Sequence, residues 1–207
     1  MKLWTIQDLE VWERFERRGR LRCAVSKVDR LYLPPYRWMA SQMKKRIGPP
    51  YQPNALPLWA WYQWYGSARK RPDLRAGGLM SCGEWGVRIE IEVPDESVLL
   101  SDYQLWYYVL NYWYLPSSLA EGDVFHEHLK KIGLQSALPK DWQYGRSFRV
   151  TLPPKYHRKI ISSWDRVFDL SWENHDYTSS RENKIIHATF WELTLDQVRK
   201  VKHFKAR

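Results

Sequence analysis

Thirteen tryptophans in 207 residues constrain this chain more than any other feature. An indole needs a wide, shaped interface between elements, and its N–H wants a hydrogen-bond partner, so each one restricts which surfaces can meet. Several fall in short patterned clusters: Trp59, Trp61 and Trp64; Trp106 and Trp113; and Trp38. The 44% apolar and 27% charged composition is that of a folded globular chain, long enough for one domain with a sizeable core.

The periodicity around those indoles assigns the elements. Residues 2–7 read as a short strand stopping at Asp8, a favourable helix N-cap, after which Leu9, Val11, Trp12 and Phe15 recur at helical spacing until Gly19. Pro34 and Pro35 open a second helix with an apolar stripe of Tyr36, Met39, Met43 and Ile47. Residues 56–64 predict a strand with Trp59 and Trp61 on one face, and 69–86 a loop rich in Gly and Arg. From Val87 to Val93 the alternation is clean, with Arg88, Glu90 and Glu92 on the outward side. Ser101 and Gln104 have capping-box spacing ahead of an apolar helix over 105–115, ended by Pro116.

The second half is more punctuated. A short helix around 124–131, a short strand at Phe148, Val150 and Leu152, and a helix from Pro154 carrying Ile160, Ile161, Trp164, Val167 and Phe168 are expected. A polar loop over 173–183 leads to a final strand over 184–193. Thr194 and Gln197 then repeat the capping-box spacing before a last helix bearing Leu195, Val198 and Val201. Strands and helices intersperse without regular alternation. The fold class is therefore α+β, a single domain of small mixed or antiparallel sheets with packed helices.

The formal net charge of +10 attracts polyanions, so nucleic acid or a phosphorylated cofactor is a natural partner. The basic residues cluster at Arg14–Arg22, Lys44–Arg46, Arg69–Arg75 and Arg199–Arg207. The plainer alternative is that they solvate helix faces. No window has the continuous apolar length of a membrane span, and residues 1–20 lack a signal-peptide core, so no membrane partner and a cytoplasmic location are expected. Cys23 and Cys82 lack CxxC spacing and read as reduced thiols. The oligomeric state is left open.

Among groups that carry chemistry, Glu192 ends an apolar strand face of Ile186, Ala188 and Phe190, where a carboxylate can be tuned by burial or aimed at a developing cation. The alternative is a strand-end glutamate reaching solvent. His126 and His128 flank Glu127, but nothing matches HExxH or a cysteine pattern, and no metal site is expected. GxGxxG, P-loop and GxSxG spacings are also missing, which disfavours ATP-driven chemistry and common serine hydrolysis.

The segments K-L-W-T-I-Q, Y-R-W-M, P-L-W-A-W, V-P-D-E-S-V-L-L-S-D with W-Y-Y-V-L-N, S-W-D-R-V-F-D and H-A-T-F-W-E-L span nearly the whole chain. They resemble a bacterial family designated domain of unknown function thirty-eight forty-one, a designation that carries no activity. Leu3–Leu21 and His187–Val201 also resemble, more faintly, the two ends of compact ADP-ribosyltransferase-like domains. That likeness implies an enzyme that splits NAD at the nicotinamide bond. It implies that Trp4, Thr5, Gln7, Arg37, Trp59 and Trp61 bind the cofactor, with Trp59 and Trp61 as an aromatic wall and Arg37 on phosphate, and that Glu192 acts catalytically at the ribose. The first-strand His or Arg usual in that fold is replaced here by Trp4 and Thr5.

Three readings follow. The first is an NAD-binding, ADP-ribosyltransferase-like domain whose basic surface recruits a nucleic-acid or protein target. The second is a non-catalytic module in which aromatics stack bases and Lys/Arg clusters track a phosphate backbone. In the third the indoles are core and the chain is a protein-interaction partner.

Overall fold

The computed structural model describes residues 1–134 and 152–207. Phe148 and Val150, which carry the strand expected before Pro153, lie outside the described residues. The strands are β1 (Lys2–Asp8), β2 (Arg20–Arg22), β3 (Leu58–Gln63), β4 (Trp85–Glu92), β5 (Leu99–Asp102), β6 (Ile186–Phe190), β7 (Glu192–Thr194) and β8 (Val198–Lys205). The helices are α1 (Leu9–Arg18), α2 (Leu33–Arg46), α3 (Tyr103–Leu110), α4 (Leu119–Lys131) and α5 (Pro154–Ser163). Six strands form one antiparallel sheet in the order β5-β6-β3-β1-β4-β8, and β2 pairs with β7 in a small second sheet. The expected α+β class is observed.

Alternation along the strands gives the large sheet two different faces. Leu3, Ala60, Val87, Ile89, Ile91, Ala188 and Phe190 point to one side, where Trp12 and Phe15 of α1 close a core. The helix supplies both rings from one stripe, and it stops at Gly19, whose φ of 70° suits a residue without a Cβ. On the other side Leu99 and Trp59 meet Trp38, Met39 and Met43 of α2, Leu105 and Trp106 of α3, Ile160 of α5 and Trp164 just beyond it. That second core covers the β5-β6-β3 half alone. On the same side, β1, β4 and β8 are left to the connection between β3 and β4.

Several elements differ from expectation: β2 and β5 are unexpected, and the helix from Pro154 gives way to a 3-10 turn over Trp164–Phe168. The last helix is instead strand β8, which pairs with β4 from Trp85↔Lys205 to Ile91↔Val198. The capping box of Thr194 and Gln197 does form, but it caps a single 3-10 turn, Leu195–Gln197. The exposed edge of β4 supplies a ladder of backbone partners, and this tertiary demand outweighs the local helix signal. The strand expected over 184–193 breaks at Trp191, so that β7 leaves the large sheet for β2. Helix α3 starts from Asp102 rather than Ser101: the Asp102 carboxylate accepts the N–H groups of Gln104 at 2.9 Å and Leu105 at 3.3 Å. It ends before Asn111, short of Pro116, and Tyr112 then takes a φ of 56°.

Candidate functional site

The uncovered half of the sheet forms the floor of a cleft of about 1060 Å³, roofed by residues 64–76. Trp4, Arg88, Glu90 and Lys202 rise from β1, β4 and β8, and Arg69, Lys70, Arg71 and Arg75 come from the roof. Two carboxylates are already engaged: Glu90 with Lys2 at 3.1 Å and with the Trp4 indole N–H at 3.1 Å, and Asp73 with Arg75 at 2.7 Å. The hydrogen bonds from Arg75 hold the Asp73 carboxyl well below the usual carboxylate range. Among the described residues these are the ion pairs lining the cleft; Arg69, Lys70, Arg71, Arg88 and Lys202 form none, although the Glu90 and Asp73 carboxylates act on Arg88, and Asp73 on Arg69, from beyond ion-pairing distance.

Arg88 is the unusual member. It is 9% exposed, its Nη1 donates to the Pro72 carbonyl at 2.6 Å, and no carboxylate reaches ion-pairing distance. Burial pulls its pKa down and the neighbouring Arg71 charge pulls it further, against a smaller upward pull from the Glu90 and Asp73 carboxylates. A buried guanidinium beside a second one is an expensive arrangement in the absence of an anion.

The roof is fixed by backbone geometry. Tyr65 and Arg69 bridge each other, while the Gly66 N–H donates to the Lys184 carbonyl at 3.3 Å and the Ser67 N–H to the Glu182 carbonyl at 2.7 Å. Gly66 has a φ of 69°, and a Cβ there would lie 2.6 Å from the Glu182 carbonyl oxygen. Lys184 is itself anchored. Its fully buried ammonium meets Asp102 at 2.7 Å and Thr178 at 2.9 Å, and its carbonyl accepts from Gln63 at 2.7 Å.

Beside the cleft, sharing Trp64, Tyr65 and Ala76 with it, lies an aromatic chamber of about 490 Å³. Its walls include Trp59, Trp61, Tyr103 and His187, with Gly77 and Gly78 at the roof. The His187 ring sits 4.1 Å from Trp61, 4.6 Å from Tyr103 and 5.4 Å from Trp59, centroid to centroid. Desolvation pushes the His187 pKa down to about 3, so the ring is neutral at physiological pH. The His187 Nδ1 and Trp59 Nε1 atoms are buried without a hydrogen-bond partner among the described residues.

The seven residues singled out in the sequence divide among separate places. Trp59 and Trp61 share a face, as expected, and line the chamber; Trp4 joins them on that face, paired with Trp61, and lines the cleft. Thr5 and Gln7 point to the opposite face, where the Thr5 hydroxyl donates to the Trp59 carbonyl at 3.0 Å and Gln7 donates to Thr5 at 2.8 Å. Arg37 is exposed on α2 and lines neither cavity. Glu192 lines a different depression with Tyr51 and Trp191, and accepts from Arg20 at 3.1 Å and Arg22 at 2.9 Å. The structure therefore does not bring Glu192, Thr5 and the Trp59/Trp61 face into one cleft. Arg88, expected on a solvated side, is buried because the roof covers that side. His187 and Tyr103 carried no sequence signal beyond strand and helix periodicity.

His126 and His128 are held within the fold, by the Gly122 carbonyl at 2.8 Å and the Tyr156 hydroxyl at 2.7 Å. Among the described residues no three His, Cys, Asp or Glu side chains gather as metal ligands, and no helix is long and apolar enough to cross a membrane.

Fold and cavities together define an antiparallel α+β protein in which an aromatic chamber lies beside a basic cleft. The chain belongs to the DUF3841 family, a domain of unknown function, whose model matches residues 2–199. No curated protein and no solved structure matches it. The strand, helix and Gly turn expected at the first end form as β1, α1 and Gly19, but nothing among the comparisons supports the ADP-ribosyltransferase likeness. At the second end β7 and β8 stand where the likeness requires a strand running into a helix.

Proposed function

We propose that the protein binds single-stranded nucleic acid along the basic cleft. The observation that carries this reading is Arg88, buried beside Arg71 with no carboxylate within ion-pairing distance, because a phosphate placed between the two guanidiniums supplies a direct charge partner. Arg69 and Lys202 extend the same line of positive charge, and Trp4, Trp64 and Tyr65 interleave it with ring faces. Positive grooves with interleaved aromatics suit single strands, whose bases are free to stack.

Four phosphate contacts give single-strand binding a log–log salt slope near −3, or roughly 50-fold weaker binding between about 50 and about 200 mM salt. Fluorescence anisotropy with a labelled oligonucleotide measures it. A slope near zero, or binding that Arg71→Gln and Lys202→Gln leave untouched, rejects the proposal.

NAD is the second reading, favoured by the chamber beside the cleft, which has the flat aromatic walls a nicotinamide ring needs. It carries only two phosphates against five cleft cations that form no ion pair, and Glu192, the carboxylate expected at the cationic sugar, is committed to Arg20 and Arg22 elsewhere. Nicotinamide release from NAD that disappears in Glu192→Gln would restore it over the strand reading.

A further inference from the structure

We infer that the aromatic chamber receives one unstacked, uncharged base of the strand whose phosphates lie in the basic cleft. This deepens the nucleic-acid reading and rests on it. The two cavities share Trp64, Tyr65 and Ala76 and therefore adjoin, so a strand lying in the cleft runs beside the chamber. A ligand that fills both is polyanionic at one end and flat and apolar at the other, as a nucleotide within a strand is.

The walls also restrict the ring. Trp59, Trp61, Tyr103 and Ile185 present no charge, and His187 is held neutral by its burial, so a charged occupant finds no counterion within the chamber. Trp64, which lines both cavities, packs T-shaped against Trp61 of the chamber at 4.5 Å between centroids and so carries the aromatic wall to their common edge. His187 Nδ1 is sealed from the chamber and has no partner among the described residues, so Nε2 is the ring nitrogen left to meet a base edge. Neutral imidazole supplies one donor and one acceptor, and with Nδ1 unpaired nothing fixes which of the two Nε2 presents. The base edge can set the tautomer.

Gly77 permits a test that leaves the core alone. Its backbone is not in the left-handed region and a Cβ there meets nothing within 4 Å, so Gly77→Leu adds a side chain at the roof of the chamber without backbone strain. Binding is measured for oligothymidylate of about eight nucleotides, within the usual single-strand site size, and for an abasic phosphodiester of the same length. The wild-type protein is expected to bind the base-bearing strand roughly 10-fold or more tightly than the abasic one, with quenching of tryptophan emission. Gly77→Leu and His187→Phe should erase that difference and leave abasic binding unchanged, whereas Arg71→Gln should weaken both strands alike. Equal binding of the two strands by wild-type protein, with the salt slope intact, overturns the base chamber and leaves the cleft reading standing. Binding of neither strand at low salt overturns both.

Discussion

At the scale of single residues, the contrast between Glu192 and Arg88 is instructive. Glu192 sits at the end of an apolar strand face, which in sequence marks it as a carboxylate of interest. In the fold its oxygens are taken by Arg20 and Arg22, with side chains 58% and 42% exposed. A pair this accessible contributes up to about 1 kcal/mol. Glu192→Gln is therefore expected to lower stability by no more than that in urea titration and to leave strand affinity unchanged; a large affinity loss would place Glu192 in the binding machinery. Arg88→Met should act oppositely, removing a charge-assisted contact and weakening strand binding roughly 10-fold at low salt. In sequence Arg88 alternates with Glu90 and Glu92 and reads as solvated, because alternation reports which side a residue faces and not whether a loop covers that side. The tryptophans were informative in the same limited way. Trp59 and Trp61 were correctly placed together, while the neutral histidine between them and Tyr103 depends on β6 and α3 arriving from far along the chain.

At the scale of elements, the connection from β3 to β4 decides the site, and its seat is a glycine. Gly66→Ala asks a Cβ to occupy the left-handed region, at about 1–2 kcal/mol, and to enter the space of the Glu182 carbonyl. A lower melting temperature is expected together with weaker strand binding, since the roof carries Arg69 and Arg71; a variant with unchanged affinity would show that the roof's seating does not matter. The junction of β5, α3 and β6 is built on Asp102, Lys184 and Thr178. Asp102→Ala removes the cap of α3 and strands a buried ammonium, at about 3–5 kcal/mol, whereas Lys184→Met leaves a carboxylate still accepting from Gln104, Leu105 and Thr178. Urea midpoints should rank the alanine variant as the more damaged. Most elements were legible in sequence, since their apolar periodicity is set by burial against neighbours. The last one was not: Thr194 and Gln197 do cap a turn, but the free edge of β4 claims the residues that follow, and no local window contains β4. The Lys200, Lys202 and Lys205 side chains then blunt the new edge against further pairing.

At the scale of the whole molecule, one sheet carries a fully closed core on one face and a half-closed one on the other, and the site is the part of the second face left without a helix. This division gives stability a two-stage acid response. His187 titrates near its ordinary 6.5 when unfolded and near 3 when folded, so the unfolded chain takes up a proton first and stability falls as pH drops from about 6.5 toward 3. Glu121 behaves with the other chemistry and the same sign. Hydrogen bonds from Ser117 and Tyr114 hold its carboxyl down at about 2, against 4.5 when free, so its contribution is complete above about 4.5 and is lost as pH falls to about 2. Unfolding free energy measured by urea titration across pH 7 to 2 is expected to decline through both windows. His187→Phe should flatten the upper one, while Glu121→Gln should make the decline in the lower one shallower without abolishing it, because Asp73, Glu90 and Asp169 are also held below their free values. Because a base in the chamber contacts His187 in its neutral form, strand affinity should hold steady between pH 7 and 5. An ordinary histidine with a pKa near 6.5 would instead change charge, and hence its contact with the base, within that interval, so a break in affinity near pH 6.5 is the result that would remove the neutral-histidine chamber from this account.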